Sequence, residues 1–288
     1  MPRRSQCTFG HWQVECCPAD GARLTRLAWA GTDLLTTAPA AFRPPARDYG
    51  RYETRPVYGY DDCFPTVDAS PYPGCPWAVP DHGELCWREW AVAVEPDQLV
   101  CAVRSEHLPL TFTRRLRFAG HRLEWQFSVL NEGPADLPFL HVMHALLPLA
   151  AVTGLTLPAR GTVYDEIAQG PLAEPGDVAA RLLAVPPGQA RMLILHDVQV
   201  GQVTVHLRGG LALRMTYPVA LFPALGIWWN HAAYPDEEGC RRTECAFEPL
   251  GGPYSQLARS HAAGRTQIVP GRGESAWTIG WEVVPSAS

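Results

Sequence analysis

The sequence contains no lysine; all 24 basic residues are arginine. That absence excludes a Schiff-base lysine and a P-loop lysine. No stretch approaches the roughly 18 consecutive apolar residues of a membrane helix. The N-terminal MPRRSQCTFGHW is basic but has no apolar run behind it, unlike a secretory signal. A soluble, cytoplasmic protein with no membrane partner is expected. No C-x-x-C occurs, and the nine cysteines include one adjacent pair, Cys16-Cys17. An odd count without paired spacing fits neither a disulfide framework nor a zinc ribbon. Reduced, mostly buried thiols fit better. Charge is scarce as well, with 18% charged residues and a net charge of −5. Apart from Arg114, Arg115 and Arg117 the arginines are scattered, which argues against nucleic acid as a partner. No internal repeat, low-complexity tract or linker divides the chain. One domain over residues 1–288 is expected, as a monomer or homodimer.

What is abundant is apolar sequence, 47% of the chain, broken throughout by 25 glycines and 28 prolines. Between these breakers lie short alternating runs. In HRLEWQFSVLN, residues Leu123, Trp125, Phe127 and Val129 share one face, as in a strand buried on one side. GQVTVHLRGGLALRMTY reads as a hairpin turning at Gly209-Gly210. SAWTIGWEVV sets Trp277, Ile279, Trp281 and Val283 on one face. Helical signals are confined to DVAARLLAV (177–185) and YSQLARSHAA (254–263). The pattern predicts an all-β fold, a large antiparallel β-sandwich with a few short helices. Residues 42–80 read as a long loop excursion, a frequent place for function.

Several polar groups stand out. His141 and His144 lie in PFLHVMHALLPL. In a strand their odd spacing sends the rings to opposite faces. His141 is expected to be a satisfied structural histidine and His144 to face a cleft. In PDHGELCWREW, His82 and Glu84 form an H-x-E pair, but no third metal ligand is evident nearby. Asp81 and Glu84 could equally be turn and cap residues around Gly83. In TECAFEPLGG, Glu244, Ala246 and Glu248 share a strand face, Cys245 and Phe247 the other, and Pro249 is expected to stop the strand. One of the two glutamates is expected to be a solvated edge charge. Ten tryptophans are many for this length, and flat aromatics with a polar edge suit sugar rings. Of Trp77, Trp87, Trp90, Trp228 and Trp229, one or two are expected in a site.

The ordered set YDDCFPTV, PDHGELCWREW, FSVLNEGPADLPFLHVMHALLPL, ECAFEPLGG and a closing strand after VPGRGES resembles the galactose mutarotase-like family, which includes the aldose 1-epimerases. The resemblance spans residues 20–284. It implies the galactose mutarotase-like supersandwich and an isomerase that interconverts α and β sugar anomers. Within it His82, with Gly83, matches a histidine that approaches the ring oxygen. His144 matches a second histidine at a strand end, and Glu248 matches the catalytic base. Asp62, Asp81, Glu84, Trp87, Trp229 and Asn230 are the expected substrate-binding residues, and Trp90 would help wall the cleft. The usual N-x-H-G-G motif is replaced by Pro80-Asp81-His82-Gly83-Glu84, and Ala145-Leu146-Leu147-Pro148 replaces the usual tail after the second histidine.

Such chemistry needs one proton removed from the anomeric hydroxyl and one delivered to the ring oxygen. A carboxylate and an imidazole on opposite sides of the ring can do both. A glutamate and a histidine in water titrate at about 4.3 and 6.5, so both are correctly protonated just below neutral pH. No metal and no organic cofactor is expected; the partner is a small-molecule sugar. Three alternatives stay open. One is a non-catalytic carbohydrate-binding protein of the same fold. Another is a sugar-phosphate epimerase, which would need arginines such as Arg88, Arg114 and Arg115 converging on the phosphate. The third is a metalloenzyme built on His82 and Glu84.

Overall fold

Each alternating run becomes a strand with one face turned inward. The computed structural model describes residues 4–39, 47–173, 176–235 and 239–285. Arg122–Asn131 buries Leu123, Trp125, Phe127 and Val129. It pairs with Glu274–Pro285, which buries Trp277, Ile279, Trp281 and Val283. Burying a large apolar side chain contributes roughly 1.5–3 kcal/mol, so these two strands anchor the core. Gln202–Leu207 and Leu211–Thr216 form the expected hairpin, and Gly209 and Gly210 both take positive φ in its turn. The two α-helices among the described residues, Val178–Leu183 and Leu257–Ala262, fall where the sequence placed them.

The named strands pair antiparallel throughout. One sheet has eight strands, from Val152–Thr156 at one edge to Ala91–Val94 at the other. A six-stranded sheet runs from Ser5–Phe9 through Arg23–Trp29 and Tyr60–Cys63 to Val142–Ala145. A second six-stranded sheet begins at Leu147–Pro148 and continues through Thr243–Leu250, Ala224–His231 and Gln189–Leu195. One apolar core draws side chains from all three: Trp125, Trp281 and Val205 from the first, Leu24 and Tyr60 from the second, Ile227 and Phe247 from the third. This is the expected antiparallel sandwich.

Two expectations change, and one open alternative is decided. The excursion at 42–80 is interrupted by the buried strand Tyr60–Cys63; residues 42–46 lie outside the described residues. YDDC does not read as a core strand because it carries two acids, yet both are buried against arginines. Pro249 does not end its strand, which runs to Leu250. Of the two readings of Asp81-His82-Gly83-Glu84, the structure takes the turn around Gly83. His82 and Gly83 both have positive φ, and a Cβ on Gly83 would lie 1.9 Å from the Phe64 carbonyl oxygen.

Candidate active site

Strand parity builds the site. In Tyr60–Cys63, Tyr60 and Asp62 turn toward the core, whereas Asp61 turns outward. The partner strand Val142–Ala145 sets His144 opposite Asp61. In Thr243–Leu250, Cys245 and Phe247 join the core, leaving Glu244 and Glu248 on the outer face as expected. On that face opens a cavity of about 570 Å³, which His82, His144 and Glu248 line together.

His144 is held from behind. Asp61 accepts a hydrogen bond from Nδ1 at 3.0 Å and from the Tyr52 hydroxyl at 3.1 Å. Asp61 also pairs with the buried Arg23 and Arg55, each at 3.1 Å. Burial alone would raise its pKa, but Arg23, the His144 hydrogen bond and Arg55 drive it far below the ordinary carboxylate value. A carboxylate so held accepts from Nδ1–H, which fixes the tautomer and leaves Nε2 as the atom that gains or loses a proton. His144 Nε2 faces Glu248 Oε1 at 3.9 Å.

Glu248 accepts no hydrogen bond within 3.5 Å from any described residue, although only 4% of its surface is exposed. Burial raises its pKa, partly offset by His144 and His82. Opposite it on the neighbouring strand, Gly226 leaves the carboxyl room, since a Cβ there would lie 3.3 Å from Oε2. His82 stacks flat on Tyr52, with ring centroids 3.6 Å apart, and meets His144 edge-on at 5.0 Å. Burial disfavours its charged form, but Asp81, 3.1 Å from Nδ1, overrides this and raises its pKa.

Of the six expected substrate-binding residues, only Asp81 lines the cavity. Asp62 turns into the core, where it pairs with Arg114 and with His141 Nε2. Glu84 is buried against Ser105 and the Glu106 amide, because the turn at Gly83 rotates it away from His82. That separation removes the H-x-E metal pair. Trp87 lies under the Arg47 and Arg55 guanidinium groups, and Trp229 is core by strand parity. Trp90 is core as well, beneath Arg114. Asn230 shapes the wall indirectly, holding the Ala233 and Tyr234 amides of the next turn at 3.1 and 3.0 Å. His141 packs against Phe127 and Trp277 and is structural, as expected.

Trp228 is the tryptophan that lines the cavity. Its Nε1 donates to Glu244 at 3.2 Å. Glu244 is no edge charge: it is buried and also takes Arg242 Nε at 2.9 Å. Sequence reasoning also missed Tyr52, Asp61, Asp68 and Glu166. Only the doubled acid in YDDC could have flagged Asp61. Asp68 titrates at about 6, raised by burial and then by Asp81 and Glu166.

No family model and no curated protein matches the chain. Solved structures do match over nearly its whole length. The Slr1438 protein from Synechocystis sp. PCC 6803 has a TM-score of 0.76 at 15% identity, covering 99% of this chain and 97% of its own. The galactose mutarotase related enzyme from Lactobacillus acidophilus has a TM-score of 0.67 at 13% identity, with 99% of both chains covered. The GalM/aldose epimerase homologue from C. elegans has a TM-score of 0.68 at 12% identity, with 100% of both covered. At such identities the likeness establishes the fold.

Proposed function

We propose that this chain, which has the galactose mutarotase-like fold, is a sugar 1-epimerase using Glu248 as base and His144 as acid. The observation that carries this reading is the pairing of two groups on one cavity floor. One is a buried carboxylate without a hydrogen-bond partner among the described residues; the other is an imidazole whose Nδ1 is fixed and whose Nε2 stands 3.9 Å from it. That spacing is too short for the two to flank a sugar ring. It suits a sugar entering edge-on, because the anomeric hydroxyl and the ring oxygen are bonded to the same carbon. Glu248 removes the hydroxyl proton while His144 Nε2 protonates the ring oxygen. The ring opens, the C1–C2 bond rotates, and reversal closes the other anomer. His82, its Nδ1 against Asp81, offers Nε2 to the same edge of the sugar. Assistance of this kind is worth roughly 10²–10⁴-fold.

The electrostatics favour an uncharged sugar over a phosphorylated one. Asp68, Asp81, Glu166 and Glu244 line the cavity, whereas its described arginine, Arg242, is committed to Glu53 and Glu244. Arg88 is paired with Glu106, and Arg114 is buried with Asp62. Exchange NMR across a panel of free and phosphorylated aldoses tests the proposal. Accelerated exchange between anomeric signals of a free sugar is expected. Binding without exchange for every sugar would replace the reading with a carbohydrate-binding module.

A further inference from the structure

Beside the acid–base pair lies a group that the proposed reaction does not use. Cys63 shares the outward face of its strand with Asp61. One ligand atom each from Cys63, His82 and His144 lies within 4.8 Å of the other two. The His144 ring is backed by Asp61, which accepts from its Nδ1 at 3.0 Å, and the Asp81 carboxylate lies 3.1 Å from His82 Nδ1 without hydrogen-bond geometry. A carboxylate behind the ring is the arrangement that orients a metal-binding histidine and strengthens it as a ligand. It leaves Nε2 of His144 for an incoming ion. The Glu248 carboxylate stands 3.9 Å from His144 Nε2, beside the three-residue cluster and not part of it.

We propose that Cys63, His82 and His144 form a binding site for a soft divalent cation of the Zn²⁺ class, occupied in competition with sugar. Thiolate and imidazole donors select zinc and its neighbours over magnesium or calcium. Bonds of about 2.3 Å to sulfur and 2.0–2.1 Å to nitrogen set tetrahedral donors roughly 3.3–3.6 Å apart, so shifts of about 1 Å close the site. Binding releases the Cys63 thiol proton to solvent and involves no redox change. The ion takes the His144 nitrogen that proton transfer needs, so it inhibits turnover; that one consequence rests on the proposed epimerase reading.

The test is a titration of the reduced, metal-stripped protein with Co²⁺ and then Zn²⁺. One equivalent of Co²⁺ should produce an intense near-ultraviolet thiolate-to-cobalt absorption, which Zn²⁺ abolishes. Cys63→Ser should lose this band, bind Zn²⁺ at least 100-fold more weakly and keep ordinary metal-free turnover. His82→Asn, whose side chain tolerates positive φ, should also lose the site. Asp81→Asn should weaken Zn²⁺ by about 10–100-fold. Absence of the band in the wild type, or its persistence in folded Cys63→Ser and His82→Asn, would overturn the proposal. The absorbance reports the site even if no sugar is turned over. If exchange activity exists but survives saturating Zn²⁺, competition is disproved.

Discussion

Asp61 and Asp62, adjacent in sequence, serve opposite faces of one strand: Asp61 holds His144 at the cavity and Asp62 holds His141 in the core, each at 3.0 Å. The same pleat that separates the acids separates the histidines. His144→Asn should therefore abolish most anomer exchange while leaving the melting temperature nearly unchanged. His141→Asn removes a ring packed against Phe127 and Trp277 and leaves Asp62 short of a donor. It should destabilise by roughly 1–3 kcal/mol, with kcat retained by the folded fraction. Thermal melts alongside exchange rates separate the two; an inactive, fully stable His141→Asn would refute the assignment.

Asp61 joins stability to chemistry. It is buried between Arg23 and Arg55, so Asp61→Asn leaves two buried cations to share the single carboxylate of Asp20. A loss of about 3–5 kcal/mol is expected, together with loss of turnover. Tyr52→Phe is the gentler probe, since it removes one donor to Asp61 and keeps the ring on which His82 stacks. It should fold normally and lower kcat more than it raises KM. Normal kcat would mean that the hydroxyl has no part in setting His144.

Glu248→Gln should reduce exchange by roughly 10²–10⁴-fold while sugar binding largely survives, because an amide still meets the hydroxyl. Burial raises the Glu248 pKa, so the wild-type rate should fall on acidification at a pH above the ordinary carboxylate value. Stability should move the opposite way. Between its unfolded and folded pKa values Glu248 binds more protons when folded, so stability falls as pH rises through that window. Gln escapes this loss. The variant should be more stable than wild type above the window, on the order of 1 kcal/mol, and converge with it in acid. Equal melting temperatures at every pH would argue against a desolvated, unpaired carboxylate.

The adjacent tryptophans make a clean pair. Trp228→Ala opens the cavity wall and should raise KM several-fold with little loss of stability. Trp229→Ala empties a core position and should destabilise by about 3–5 kcal/mol. Urea unfolding and sugar titration of both variants check this; a reversed pattern would mean that the strand register is read wrongly.

Much of the fold was legible because periodicity is local. The alternation at 122–131 and 274–285, the Gly209-Gly210 turn and both helices appear where the sequence placed them. The same parity rule separated His141 from His144 and put Glu244 and Glu248 on one face. It could not identify Trp228 over Trp229, because alternation fixes which residues share a face but not which face meets the core. Nor could it read Tyr60–Cys63 as a buried strand. Its acids look solvated until Arg23, Arg55 and Arg114, between 6 and 52 residues away along the chain, arrive to neutralise them.

The sequence by itself determined the strand periods, the turns and the sandwich class, and only the family resemblance singled out His82, His144 and Glu248. The periods, turns and class follow from side-chain pattern and residue type. Tertiary structure alone decided that Asp61 backs His144, that Glu84 turns away to Ser105, and that Glu244 is buried with Arg242. These depend on charge neutralisation and on a glycine turn pressed against the Phe64 carbonyl. Both join segments far apart in the chain, and burial reverses the exposure that a charged residue leads one to expect.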